Sequence, residues 1–218
     1  ALSELDGRVV VLVDDIDRLT RSETRDLFRT VRLSASFPNL IYILCLDHNV
    51  VAKALDEDGF SGIAYLEKIG VSHMFGIPGD LVINLFFKFG RHRGLKIVTF
   101  SHEPGVGFAA DGYARAKGRI GVICVTYGAG GHNMVNPVAG SFAERVPLLV
   151  ISGGPGEEER KLGVLIHHQA KEIESQYRIY REVTCAAKII DDPLRAATDI
   201  DEVIRAIWLH QQPGYLEI

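Results

Sequence analysis

The sequence predicts an α/β fold: a mainly parallel sheet with helices on both faces, preceded by a small βαβ fragment. Three observations predict it. Apolar runs such as IGVICV at 120–125 and LLVI at 148–151 are nearly continuous, as strands covered on both sides must be. From residue 72 these runs alternate regularly with helix-length segments, the βαβα rhythm of a parallel sheet. Strand ends run into GIPGD at 76–80, SHEPG at 101–105 and TYGAGG at 126–131, placing polar groups at the edge where open parallel sheets bind ligands.

The elements follow in order. RVVVLVDDID at 8–17 reads as a hydrophobic strand ending in Asp14 and Asp15, followed by an Arg-rich helix at 22–33. FPNLIYILCLD at 37–47 is a second buried strand ending in Asp47. Phe60, Ile63, Ala64, Leu66 and Ile69 recur at roughly helical spacing. Beyond them come a strand at HMFGIP, a helix after Gly79, a strand from Lys96 through Phe100, and a helix opened by Pro104. The strand at 120–125, a helix at about 131–145 and the strand PLLVIS complete the centre. Residues 153–161 read as a Gly/Glu-rich surface loop, 183–190 as a strand, 193–210 as an amphipathic helix and GYLEI as the last strand.

Bulk properties exclude several function classes. A net charge of -4 spread along 218 residues leaves no nucleic-acid footprint. No apolar run is long enough to span a bilayer and no signal-peptide pattern is visible, so no membrane partner is expected. Cys45, Cys124 and Cys185 are well separated, odd in number and set in apolar runs, which predicts buried free thiols and a cytoplasmic location.

Four blocks carry a family resemblance: FGIPGD at 75–80, KIVTFSHEPGVGFAADGYARAKG at 96–118, VTYGAGGHNMVNPVAGSFAERVP at 125–147 and IHHQ at 166–169. In this order they resemble the N-terminal pyrimidine-binding domain of thiamine-diphosphate-dependent 2-oxo acid decarboxylases, of the phenylpyruvate and indolepyruvate type, over residues 70–218. The resemblance implies that Glu103 is the activating glutamate, which exchanges a proton with N1′ of the aminopyrimidine. It implies that Asp80 moves protons at the reacting carbon, and that His167 and His168 donate protons and position the substrate carboxylate. Pro78, Gly79, Thr126, Gly128 and Asn133, with Glu103, would line the pyrimidine.

Each residue also has a plainer use. Glu103 suits the first turn of a helix, Asp80 suits an N-cap after a Gly79 turn, and the histidines suit a solvated loop. Burial of Glu103 among Val106, Phe108 and Ala109 would raise its pKa by desolvation. No metal site is expected, because adjacent histidines lack the i, i+4 spacing of a helical zinc site. The glycines at 128–131 alone are too weak a signal for a phosphate loop. The small-residue helix at 105–116 predicts close packing against a partner helix, which in the family belongs to a second subunit, so a homo-oligomer is expected.

The family holds thiamine diphosphate and Mg²⁺ through a second domain bearing G-D-G, and no G-D-G occurs in these residues. Residues 1–69 resemble a Walker B fragment of KAP-type P-loop NTPases, in which Asp14 would help hold Mg²⁺. That motif's partner, G-x-x-x-x-G-K-[ST], does not occur either. The seam lies near residues 65–70. The expected function is therefore a decarboxylase-derived pyrimidine domain, truncated, fused and inactive alone, acting in its family on a small 2-oxo acid. The alternatives are a non-catalytic dimerisation module and a degenerate NTPase-type regulatory fragment.

Overall fold

The computed structural model describes residues 9–13, 40–44, 62–91, 93–163 and 165–218, together with Glu23 and Leu27. The chain divides into two compact units, Ala1–Ala64 and Tyr65–Ile218. In the first, β1 (Val9–Val13) pairs in parallel with β2 (Leu40–Leu44), from Val9 opposite Leu40 to Val13 opposite Leu44. The two expected strands are thus present, and the expected Arg-rich helix at 22–33 lies, apart from Glu23 and Leu27, outside the described residues. Asp14, Asp15 and Asp47 lie outside the described residues.

Helix α1 (Gly62–Lys68) precedes a six-stranded sheet. Its strands are β3 (His73–Gly76), β4 (Lys96–Thr99), β5 (Gly121–Val125), β6 (Leu148–Ser152), β7 (Ala186–Ile189) and β8 (Gly214–Glu217). All pairs are parallel, in the order β4-β3-β5-β6-β8-β7. Every residue of β5, β6 and β8 is buried, whereas the edge strands β4 and β7 are only partly so. The continuous apolar runs are thus the central strands, sealed on both faces.

Between strands lie a 3₁₀ turn (Asp80–Val82), α2 (Ile83–Arg91), α3 (Glu103–Lys117), α4 (Ala129–Asn133), α5 (Val135–Ala143), α6 (Glu157–Leu162), α7 (Ser175–Val183) and α8 (Pro193–His210). Helix α3 packs on β3 and β5, and α8 on β7 and β8. Asp192 caps α8, its side chain accepting the Leu194 N–H at 2.9 Å, and Pro193 opens the first turn. Small residues let α3 come close. A Cβ on Gly107 would meet Pro137 Cγ at 2.3 Å, and one on Gly121 would meet the Ala110 carbonyl oxygen at 2.5 Å. Part of the small-residue face is therefore consumed within the chain, by α5 and β5.

Three expectations are corrected. The helix at 131–145 is broken at Met134, because Pro137 cannot follow a continuous turn and instead sits in the first turn of α5. The surface loop at 153–161 contains α6, where Glu159 accepts the Gly156 N–H at 2.8 Å, so glutamate stabilises a helix start. The strand at 183–190 begins only at Ala186, since Val183 closes α7, a helix that the sequence reading did not assign. Helix α7 does carry an apolar face, with Tyr180 in the core and Tyr177 and Val183 packed against it, but it is short and rich in polar residues, Gln176 being fully buried among them. Cys124 is buried, which pushes its thiol up to about 12, and Cys185 is partly buried; both are free, and Cys45 lies outside the described residues.

Candidate functional site

The strand order reverses between β3 and β5: the chain leaves β3 for β4 on one side, then returns to β5 on the other. Loops at the carboxyl ends of those two strands diverge and leave a crevice, the usual ligand position in such sheets. Asp80 reaches it from β3 and Thr126 from β5. The Thr126 hydroxyl donates to Asp80 Oδ1 at 2.8 Å, and the Leu81 N–H donates to the same oxygen at 3.0 Å. Asp80 is therefore not an N-cap; it begins the 3₁₀ turn, and Gly79 before it makes no side-chain cap. Gly79 is extended (φ −148°), so left-handed freedom is not what it supplies. It supplies clearance, because a Cβ there would lie 2.6 Å from Thr126 Cβ. Pro78, just before it, is exposed.

Glu103 opens α3 on the neighbouring strand end, with Pro104 in the first turn. Asn133, from the end of α4, donates to Glu103 Oε2 at 2.9 Å. The Asn133 amide also lies 3.4 Å from His102 Nε2. Glu103 is only half-buried, and Phe108 is 56% exposed, so the expected apolar burial of this carboxyl does not occur in the isolated chain. Gly130 joins this pair to Thr126. A Cβ on it would sit 3.2 Å from the Thr126 methyl and 3.7 Å from Glu103 Oε1.

His167 and His168 occupy the centre of a turn closed by Gln169, which accepts the Ile166 N–H at 3.0 Å and donates its own N–H to the Ile166 carbonyl at 3.0 Å. The two rings stack at 3.7 Å between centroids, and His167 Nδ1 lies 3.1 Å from Asp80 Oδ2. The Thr126 hydroxyl, and then His167, hold the Asp80 carboxyl below the usual carboxylate range. Under the turn lies Gly128, at φ +73°, where a Cβ would meet the His168 carbonyl oxygen at 2.2 Å. Only glycine serves here, on both backbone and steric grounds. Ligand atoms of Asp80, His167 and His168 fall within 4.8 Å of one another. The two imidazoles and the Asp80 carboxylate are all exposed.

Each site residue expected from the sequence thus stands at this one edge of the sheet. The reading missed Gln169, Gln176 and His132. Gln176 is fully buried and accepts the Gly128 N–H at 2.8 Å. His132 Nδ1 lies 2.7 Å from the Gly128 carbonyl oxygen, which fixes it as the donor, and its Nε2 is buried with no partner among the described residues. Position within the four blocks was the available signal for Gln169 and His132; for Gln176 there was none.

Comparison with known proteins bears on this geometry directly. Residues 61–179, more than half of the chain, match the family model described as thiamine pyrophosphate enzyme, N-terminal TPP binding domain. The chain belongs to this family. Among relatives of this thiamine pyrophosphate enzyme domain, the indole-3-pyruvate decarboxylase of Azospirillum brasilense is 46% identical over 153 residues, covering 70% of this chain and 28% of the relative. An alpha-keto-acid decarboxylase of Mycobacterium ulcerans (strain Agy99) is 37% identical over 153 residues, 69% of this chain and 27% of the relative. Pyruvate decarboxylase 2 of Oryza sativa subsp. japonica is 33% identical over 155 residues, 70% of this chain and 26% of the relative. The matched part is thus about a quarter of the length of these relatives. Residues 1–82 match the KAP family P-loop domain, so the two matches overlap at 61–82.

Proposed function

We propose that residues 70–218 are the aminopyrimidine-binding half of a thiamine-diphosphate-dependent 2-oxo acid decarboxylase, and that these 218 residues turn over no substrate by themselves. One observation carries the reading: Glu103–Asn133 and Asp80–Thr126–His167 meet at the carboxyl edge between β3 and β5. The residues fit an aminopyrimidine. Asn133 occupies Glu103 Oε2, no donor reaches Oε1 among the described residues, and Gly130 keeps the space beside Oε1 clear of a side chain.

Bound thiamine diphosphate supplies the electron sink for loss of CO₂. The chain's part is to place and move protons. Glu103 Oε1 would exchange a proton with the ring nitrogen, while Asn133 holds the other oxygen still. Asp80, fixed by Thr126 and the Leu81 N–H, would work with His167 as a proton reserve. His168 would orient the substrate carboxylate. Mg²⁺ and the diphosphate are assigned to a separate domain bearing G-D-G. The substrate class, a small 2-oxo acid, is taken from the names of the relatives.

The partner we assign is a second copy of the domain, supported by Phe87 and Phe108, which are 62% and 56% exposed. Residues 1–69 are assigned as a KAP-like fragment, and these 218 residues, among which no G-x-x-x-x-G-K-[ST] occurs, are expected to hydrolyse no ATP by themselves. An ATPase rate that vanishes in Asp14→Asn would overturn that assignment.

The test of the main reading is reconstitution. The diphosphate-binding domain of the Azospirillum relative is added to this chain with thiamine diphosphate, Mg²⁺ and indole-3-pyruvate. CO₂ release that needs both proteins and Glu103 is expected. Undetectable cofactor binding by calorimetry in the reconstituted pair would sink the proposal and favour a non-catalytic interaction module.

A further inference from the structure

The polar groups buried beneath the histidine turn form one directed chain. Glu217, at the end of β8, is fully buried, and Arg160 of α6 pairs with its Oε1. Its other oxygen accepts the Tyr215 hydroxyl at 2.6 Å. Since that hydroxyl has spent its proton, it accepts from Gln176 Nε2 at 2.7 Å. The second Nε2 proton goes to Ser152 Oγ at 2.8 Å, whose own proton goes to the Gly153 carbonyl at 2.9 Å. The Gln176 amide therefore has one possible orientation, with Oε1 facing the Gly128 N–H at 2.8 Å. Both of its side-chain polar atoms are engaged, in three hydrogen bonds, and the residue is fully buried.

Gly128 is the floor on which the histidine turn rests. Its absent Cβ would lie 2.2 Å from the His168 carbonyl oxygen and 2.6 Å from His168 Cβ, so a displacement of Gly128 displaces His168. His168 has φ +63° and stacks on His167, whose Nδ1 faces Asp80. Tyr180, one turn after Gln176, braces the same segment by donating to the Gly131 carbonyl at 2.7 Å. Gly131 in turn leaves room for Gln176, since a Cβ there would sit 2.1 Å from Oε1.

We propose that Gln176 is a positioning residue: through Gly128 it sets where His167 and His168 stand relative to Asp80, with Tyr215 and Glu217 fixing its orientation. This rests on the proposed function for the meaning of the histidine pair, but not for its geometry. A glutamine that merely filled the core would stabilise the fold and leave the histidines of the folded protein where they are.

The experiment uses the full chain without thiamine. Gln176→Met keeps the volume and removes both ends of the relay; Tyr215→Phe keeps Gln176 and removes only the group that orients it. Hydrogen exchange at Gly128, referenced to Ile123 in the same sample, and the imidazole ¹H–¹³C shifts of His167 and His168 are the readouts. In Gln176→Met, Gly128 exchange is expected to rise about tenfold over the reference, as loss of one buried hydrogen bond allows. The His168 to Gly128 Overhauser contact should disappear and both imidazole signals should move. If Gln176→Met does not fold, Tyr215→Phe decides, with a smaller rise and the same direction of imidazole shift expected. Wild-type Gly128 exchange and wild-type imidazole signals in a folded variant would overturn the proposal. Shifted histidines in a chain whose reconstituted complex binds no thiamine diphosphate would uphold this inference and sink the functional one.

Discussion

At Asp80, three groups converge on one exposed carboxylate, and the Thr126 hydroxyl contributes most to its lowered pKa. The folded value lies below the unfolded one, so this contact stabilises the fold above an ordinary carboxylate pKa of about 4 and is lost as pH falls through the folded value. Solvent reduces the effect, since the side chain is 47% exposed. Thr126→Val should move the Asp80 midpoint upward in a carboxyl ¹³C titration; an unmoved midpoint would show that the hydroxyl does not hold this carboxylate. Glu103 allows a sharper test. Glu103→Gln keeps the shape and the Asn133 neighbour but cannot exchange a proton. Deuterium exchange at C2 of thiamine diphosphate in the reconstituted pair should slow by roughly 10²–10⁴, the usual range for a general acid–base group. Affinity should fall only modestly. Unchanged exchange would leave Glu103 as no more than a helix-start acid.

Helix α3 positions Glu103, and its glycines are not equivalent. Gly107→Ala would drive a methyl into Pro137 and Met134, at 2.3 Å and 2.8 Å from the nearest atoms, and should cost roughly 1–3 kcal/mol by overpacking. Gly112 has nothing within 4 Å of its Cβ position, so Gly112→Ala should stabilise by about 0.5–1 kcal/mol. Urea midpoints that shift in the same direction for both would contradict the packing described. Further across the sheet, at the same carboxyl end, Arg160 ties α6 to β8 by pairing with Glu217. Arg160→Met leaves a buried carboxylate without its cation and should cost about 3–5 kcal/mol, the range for breaking a buried pair from one side. A urea midpoint within error of wild type would show that Glu217 does not depend on that cation.

For the molecule as a whole, the second compact unit, Tyr65–Ile218, takes in the seam expected near residues 65–70. Leu66 is buried, and the Tyr65 hydroxyl donates to Asp201 Oδ1 at 2.6 Å. A fragment spanning 65–218 should therefore be more stable than one spanning 70–218. Burial of one leucine contributes roughly 1.5–3 kcal/mol and the hydrogen bond about 1 kcal/mol. At about 2–4 °C per kcal/mol for a domain of this size, Tm should differ by several degrees. Equal Tm values would show that Tyr65 and Leu66 add nothing to the fold of residues 70–218.

What the sequence determined by itself was the ladder of elements and the chemistry at their ends. Continuous apolar runs become fully buried central strands because a parallel sheet covered on both faces leaves no polar side to reveal. The strand ends that carry Glu103, Asp80 and Thr126 were legible as local events, but it was the resemblance of the four blocks that singled these residues out, since position alone also suits a helix-start acid or a cap. Tertiary structure alone decided the rest. The break at Met134 ahead of Pro137 and the helix start at Gly156, held by Glu159, depend on which backbone groups find partners, and α7 adds a buried amide, Gln176, to its apolar face. Gln176 is the plainest case. Its partners Gly128, Ser152 and Tyr215 lie 48, 24 and 39 residues away, and its role arises only where the sheet order β5-β6-β8 brings them together. A polar side chain in the core takes its meaning from the atoms that satisfy it, and sequence spacing does not record those.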